Sequence, residues 1–175
     1  MTKKLAFASV LTALTAIFLC ASVYLPTGRI AFLMLSTFCI LVTQAECGTR
    51  YSLLAYVASS AIGLLFLPIK LQLLLFVAFL GYYPIVKRYI EQIQNLWLEW
   101  PVKILFFSAV LVVAYFAAQY ILIPRIELGI VADYVFSHLP AIVLDAEVIF
   151  VIYDILLTML ASYYMNVIQP KLRLW

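Results

Sequence analysis

Charge is what this sequence has least of. Among 175 residues only 11 are Lys or Arg and 8 are Asp or Glu. That share is 11%, against about 25% in soluble domains, while 67% of the chain is hydrophobic. So few charges cannot cover a globule of this size in water, which excludes a soluble monomer and makes lipid the expected solvent. Glycine and proline are scarce too, at 5 and 7, which excludes a collagen-like or low-complexity disordered chain. The three cysteines, Cys20, Cys39 and Cys47, lie in or beside apolar runs, where the residue behaves as a small hydrophobe. No disulfide framework is expected.

Catalytic vocabulary is equally thin. No glycine-rich loop ends in Gly-Lys-Ser or Gly-Lys-Thr, so the chain does not hold ATP in the P-loop manner. The single histidine, His138, has no second His or Cys at metal-ligand spacing, which leaves zinc chemistry unsupported. An intramembrane protease needs a second buried catalytic group, and only Asp154 stands inside a long apolar run. The expectation is no enzyme, no catalytic residue, no metal and no cofactor.

What is present is apolar length, cut by charge. Residues 5–25 form a 21-residue run after Lys3 and Lys4, longer than the roughly 7–15 residues of a secretory signal core, so this segment is expected to remain as a helix. Arg29 with Glu46, Arg50 with Lys70, Lys70 with Lys87, and Lys103 with Arg125 bracket the next four runs, and a last one ends before Lys171. The fold class expected is therefore all-α: one polytopic membrane domain, a bundle of six transmembrane helices at about 5–25, 30–46, 51–69, 71–86, 103–124 and 147–168. The second and fourth runs hold 16 residues between charges, roughly 24 Å of helix against a hydrocarbon core of about 30 Å.

The cations set an orientation. With the N-terminus inside, Lys3, Lys4, Arg50, Lys87, Arg88, Lys103, Lys171 and Arg173 are cytoplasmic and Arg29, Lys70 and Arg125 are external. Eight against three is a positive-inside bias that puts both termini in the cytoplasm of a multi-pass cell-membrane protein. Glu127, Asp133, Asp145 and Glu147 fall on the outer side. Between helices four and five, residues 88–100 place Tyr89, Ile93, Leu96 and Trp100 on one stripe, with Glu91, Gln92, Asn95 and Glu99 mostly opposite. That pattern predicts a cytoplasmic interfacial helix. The outer linker, 125–147, reads as a short capping helix closed by Pro140, and Gly81 to Pro84 as a break near the inner end of helix four.

Each odd helix ends in proline and then a cation: Pro26 and Arg29, Pro68 and Lys70, Pro124 and Arg125. The three cations serve as headgroup anchors or as a rim for a charged ligand. Small residues step along helix one at Ala6, Ser9, Ala13, Ala16 and Cys20, with Ala8, Thr12 and Ala16 as a second line. Such a stripe is an internal packing face or a docking face for another membrane protein. Helix three carries Ala55, Ser59 and Gly63 at the same spacing. Glu46 and Arg50 suit an i to i+4 pair if the helix continues through them.

Asp154 is the residue to single out. It follows Glu147 by seven positions, hence lies on the same helix face, about 10 Å deeper. A carboxylate at that depth points into the bundle. It is expected to serve either as a structural group, bonded to a buried Tyr such as Tyr115 or Tyr120 or paired with an outer cation, or as a ligand or proton site.

Six short helices with both ends inside, a small-residue stripe on helix one after Thr2-Lys3-Lys4-Leu5-Ala6, and an outer face shaped by the loops after helices one, three and five resemble the S components of energy-coupling factor transporters. The resemblance implies a substrate-capture subunit for a vitamin-like micronutrient, powered by partner ATPases through a transmembrane coupling subunit. It implies a ligand held under the outer loops and a docking face from Ser9, Ala13 and Ala16; a ligand entering there past Arg29, Lys70 and Arg125 is expected to meet Glu147 first and Asp154 at the floor, which makes these five the expected substrate site. The competing expectation is a structural or assembly membrane protein without a ligand.

Overall fold

Residues 2–68, 71–93, 96–121 and 139–172 are described by the computed structural model, and every regular element in them is helical. Helix α1 spans Thr2–Tyr24, α2 Arg29–Cys47 and α3 Thr49–Phe66. Helix α4 (Leu71–Leu75) runs into a π-helical turn at Phe76–Leu80, and α5 (Tyr83–Ile90) follows after Gly81 and Tyr82. Helix α6 covers Leu96–Ile121. Helix α7 covers Leu139–Tyr163 and continues through a second π-helical turn, Tyr164–Ile168, into α8, Gln169–Leu172. Among the described residues, the stretches Lys3–Tyr24, Arg29–Cys47 and Gln72–Ile90 are long and apolar enough to cross a membrane.

Helix ends depart from the charge brackets in a consistent direction. The two runs expected to be 16 residues long are each 19, because Arg29, Glu46 and Lys87 lie within helix rather than in loops. At 1.5 Å per residue that is about 28 Å, close to the hydrocarbon thickness. The interfacial helix expected over 88–100 does not form as one element. Arg88 to Ile90 complete α5, Glu91–Ile93 make a single 3₁₀ turn, and Leu96 to Trp100 open α6. The last helix begins at Leu139 with Pro140 in its first turn, where a preset φ and a missing N–H cost nothing, so Asp145 and Glu147 are helical rather than part of a linker.

The chain forms two compact units, Met1–Gln92 with Leu157–Trp175, and Ile93–Leu156. In the first, α1 packs on α2 and α3, and α2 on α3 and α5. Leu19 and Val23 of α1 meet Leu33 and Ile40 of α2, Ala55 of α3, Leu73 and Phe76 of the fourth helix, and Ile85 of α5 in one buried cluster. Several hydroxyls inside this unit turn to backbone carbonyls, as lipid requires. Thr37 and Thr43 donate to the carbonyls of Leu33 and Cys39 one turn back, at 3.1 and 2.8 Å. Ser36 also reaches the Thr15 carbonyl of α1, and Ser52 the Ile40 carbonyl of α2, at 3.4 and 3.3 Å. These are interhelical polar contacts of the kind that hold helices together where water supplies no drive.

Two glycines are there for space. A Cβ on Gly63 would lie 2.7 Å from Leu73 Cδ1 and 3.0 Å from Leu19, so the buried Ala55–Ser59–Gly63 line of α3 is an internal packing seam. A Cβ on Gly81 would lie 2.6 Å from the Tyr56 ring. Tyr56 sits so close because the Gly81 N–H donates across five residues to the Phe76 carbonyl at 2.9 Å, and the wider turn leaves the Val77 carbonyl for the Tyr56 hydroxyl at 2.7 Å. A third, Gly48, separates α2 from α3 at φ +91°, a conformation that L side chains rarely adopt. Helix does not continue from Glu46 to Arg50, and the pair expected there is replaced: the Tyr164 hydroxyl donates to Glu46 Oε1 at 2.9 Å, and Arg50 is exposed.

Candidate functional site

In the second unit, α6 and α7 run antiparallel, as three contacts at falling and rising numbers establish. Lys103 Nζ donates to Asp154 Oδ2 at 2.9 Å, Phe107 stacks on Phe150 with ring centroids 4.4 Å apart and planes 6° from parallel, and Ser108 Oγ donates to Glu147 Oε1 at 3.1 Å. Four residues separate Lys103 from Phe107 and Phe150 from Asp154, so each pair occupies one stripe of its helix. Lys103 also meets Glu99 Oε1 one turn earlier at 2.6 Å and lies 5.6 Å from the centre of the Trp100 ring. Its side chain is 2% exposed, that of Asp154 3% and that of Glu99 14%. Two carboxylates and an aromatic face thus hold one buried ammonium.

Asp154 therefore does point into protein, but its partner is Lys103. The side chains of Tyr115 and Tyr120 lie outside the described residues. Lys103 had the look of a loop cation because it precedes an apolar run; seven residues into α6, it is buried instead. Counted from Leu139, Asp154 is fifteen residues along α7, about 22 Å, well past the depth inferred from Glu147. Sequence reasoning missed Lys103, Glu99 and Trp100 as the surroundings of Asp154. The signal available was the i to i+4 spacing of Glu99 and Lys103, which reads as one helix face rather than as two loop charges.

Arg29 belongs to the first unit. It opens α2 after Gly28, whose φ of +73° turns the chain, and its Nε donates to the Leu25 carbonyl at 3.1 Å. Beside it is a cavity of about 500 Å³, lined by Arg29, Gly28, Ala31 and Leu33 on one side and by Gln72 and Leu75 of α4 on the other. Neither Asp154 nor Glu147 lines it. Lys70 and Arg125 lie outside the described residues, as do Glu127, Asp133 and His138.

No family model, curated protein or solved structure matches this chain. Its chemistry must be read from its own residues.

The stripe on α1 divides. Ala8, Thr15, Leu19 and Ser22 are buried against the neighbouring helices, whereas Ser9 and Ala13 are exposed and Ala16 is half-buried. Ser9 turns its hydroxyl back to the Leu5 carbonyl at 2.8 Å and so presents a small, self-satisfied surface. Among the described residues of the first unit, the line through Ser9 and Ala13 is left uncovered.

Proposed function

We propose that this chain is a membrane-embedded capture subunit for a small amphipathic molecule, held in the cavity beside Arg29 and passed on by a partner that supplies the energy. Six spanning helices in a single polytopic membrane domain, with both termini in the cytoplasm, complete the reading. With Lys87 and Lys103 buried, six inner cations remain against three outer ones, and the positive-inside bias survives. The observation that carries the reading is the cavity. Its volume falls in the range of about 300–1,000 Å³ typical of small-molecule sites, and its lining is mostly apolar with a cation and an amide to orient a polar end. The exposed Ser9–Ala13 line, where backbones can approach closely, is the surface offered to a transmembrane coupling subunit. An S component of an energy-coupling factor transporter has this division of labour. Mass spectrometry of small molecules co-purifying with the detergent-solubilised protein tests the proposal; one species recovered from several growth media supports it.

The second reading, a structural membrane protein, is favoured by the α6–α7 contact. There the Lys103–Asp154 pair and the Phe107–Phe150 stack fill the seam with side chains, and Asp154 acts as a packing residue. Empty preparations from every medium support that reading.

A further inference from the structure

A second cavity, of about 280 Å³, lies in the first unit where the end of α2, helix α5 and the segment after Leu157 converge. Leu41 and Met165 supply apolar wall, and Gln44, Lys87, Arg88 and Glu91 supply polar wall. Gln44 is 3% exposed, and its Oε1 is buried without a hydrogen-bond partner among the described residues. A buried amide oxygen left unmet is unfavourable. Its Nε2 donates to Thr49 Oγ1 at 3.2 Å, and the same hydroxyl receives the Tyr89 phenol at 3.3 Å. A half-turn of the amide resolves this chain of bonds. Tyr89 then donates to Thr49, Thr49 donates to the Gln44 oxygen, and the Gln44 NH₂ takes the place of the unmet oxygen, a buried donor on a residue that lines the cavity. Beside it, Arg88 is exposed and anchored through one Nη1 bond to the Gln44 backbone carbonyl at 2.9 Å, which orients the guanidinium and leaves its remaining N–H groups to donate. The Lys87–Glu91 pair, 2.9 Å apart, is internally neutral and leaves Arg88 to set the sign of the lining.

We infer that this cavity binds a phosphate ester, its oxygens taken by Arg88 and by the turned Gln44 amide. The apolar wall and the position at the ends of spanning helices select a phospholipid headgroup over a free phosphate. Guanidinium with an amide donor suits a phosphate's spread of acceptor oxygens, and basic pockets between membrane helices are where such headgroups lodge.

The test uses the full chain in dodecyl maltoside, with thermal melting followed against dioctanoyl-phosphatidylglycerol, dioctanoylglycerol and inorganic phosphate. The expected result is saturable protection by the phosphatidylglycerol alone, with apparent affinity reduced about tenfold or more in Arg88→Gln. Gln44→Glu, which keeps an acceptor for Thr49 but repels an anion, gives the same loss. Both variants are melted without lipid first, and Arg88→Gln, at an exposed position, retains the parent midpoint. Protection by inorganic phosphate but not by the lipid assigns the same site to a soluble phosphate. Equal protection by neutral dioctanoylglycerol, unchanged affinity in both variants, or no saturable protection by any of the three overturns the inference.

Discussion

Replacing Lys103 by Met tests whether the buried ammonium organises the α6–α7 seam. Met matches the length and apolar stem of Lys, so packing beside Trp100 is largely kept and the charge alone is lost. The loss is uneven. Glu99, with 14% of its side chain exposed, can turn toward polar surroundings, whereas Asp154, at 3%, keeps a buried carboxylate from which the ammonium at 2.9 Å has gone. Stranding one member of a buried pair costs about 3–5 kcal/mol, while removing both members together is often close to neutral. Lys103→Met should therefore lower unfolding stability by about 3–5 kcal/mol, and adding Asp154→Leu should recover most of it. Asp154→Asn alone should cost less than Lys103→Met, because Glu99 still balances the ammonium. Reversible unfolding in mixed micelles, read by tryptophan fluorescence across the four-member cycle, provides the numbers. A Lys103→Met protein within 1 kcal/mol of the parent, or a double variant no better than the single, would refute the reasoning.

The glycine seams give an ordering. Gly81→Ala should destabilise by about 1–3 kcal/mol, and by more than Gly63→Ala, because the added methyl meets a held Tyr56 ring rather than the flexible end of Leu73; thermal melts of the two variants check this. On α1, Ala8→Leu should lower the melting midpoint of the isolated chain, since Ala8 is 6% exposed. Ala13→Leu should leave that midpoint unchanged and reduce only co-purification of a coupling partner. In a background with Cys20, Cys39 and Cys47 replaced, Thr27→Cys should react with a membrane-impermeant maleimide on intact cells and Glu91→Cys only after lysis.

Hydropathy made the helical character of the chain legible, because long apolar runs with so little charge have few other solutions. The ends of those helices were not legible in the same way. A charge beside an apolar run suggests a loop, yet Lys87 and Lys103 are helical and buried, each against an acid four residues away. The i to i+4 spacing of Glu99 and Lys103 is present in the sequence, but choosing between a helix-face pair and two loop charges depends on where the helix starts. The interfacial stripe at 88–100 failed for a related reason: its periodicity is real, but it belongs to the end of α5 and the start of α6. Asp154 could be recognised from depth alone. Its partner could not, since pairing Lys103 with Asp154 requires the register of two helices distant in sequence, which no local pattern encodes. The cavity beside Arg29 depends in the same way on how Arg29 and Gln72 come together.

Occupancy of that cavity is the most direct measurement. Ala31 is exposed on its wall, and Ala31→Trp fills the space from that exposed position. Native mass spectrometry of wild-type and Ala31→Trp protein, released from the same detergent, reads the fraction of chains carrying a bound small molecule. A discrete adduct on the wild type, lost from an Ala31→Trp protein of unchanged melting midpoint, is the predicted result; no adduct on either, or the same adduct on both, would contradict the account.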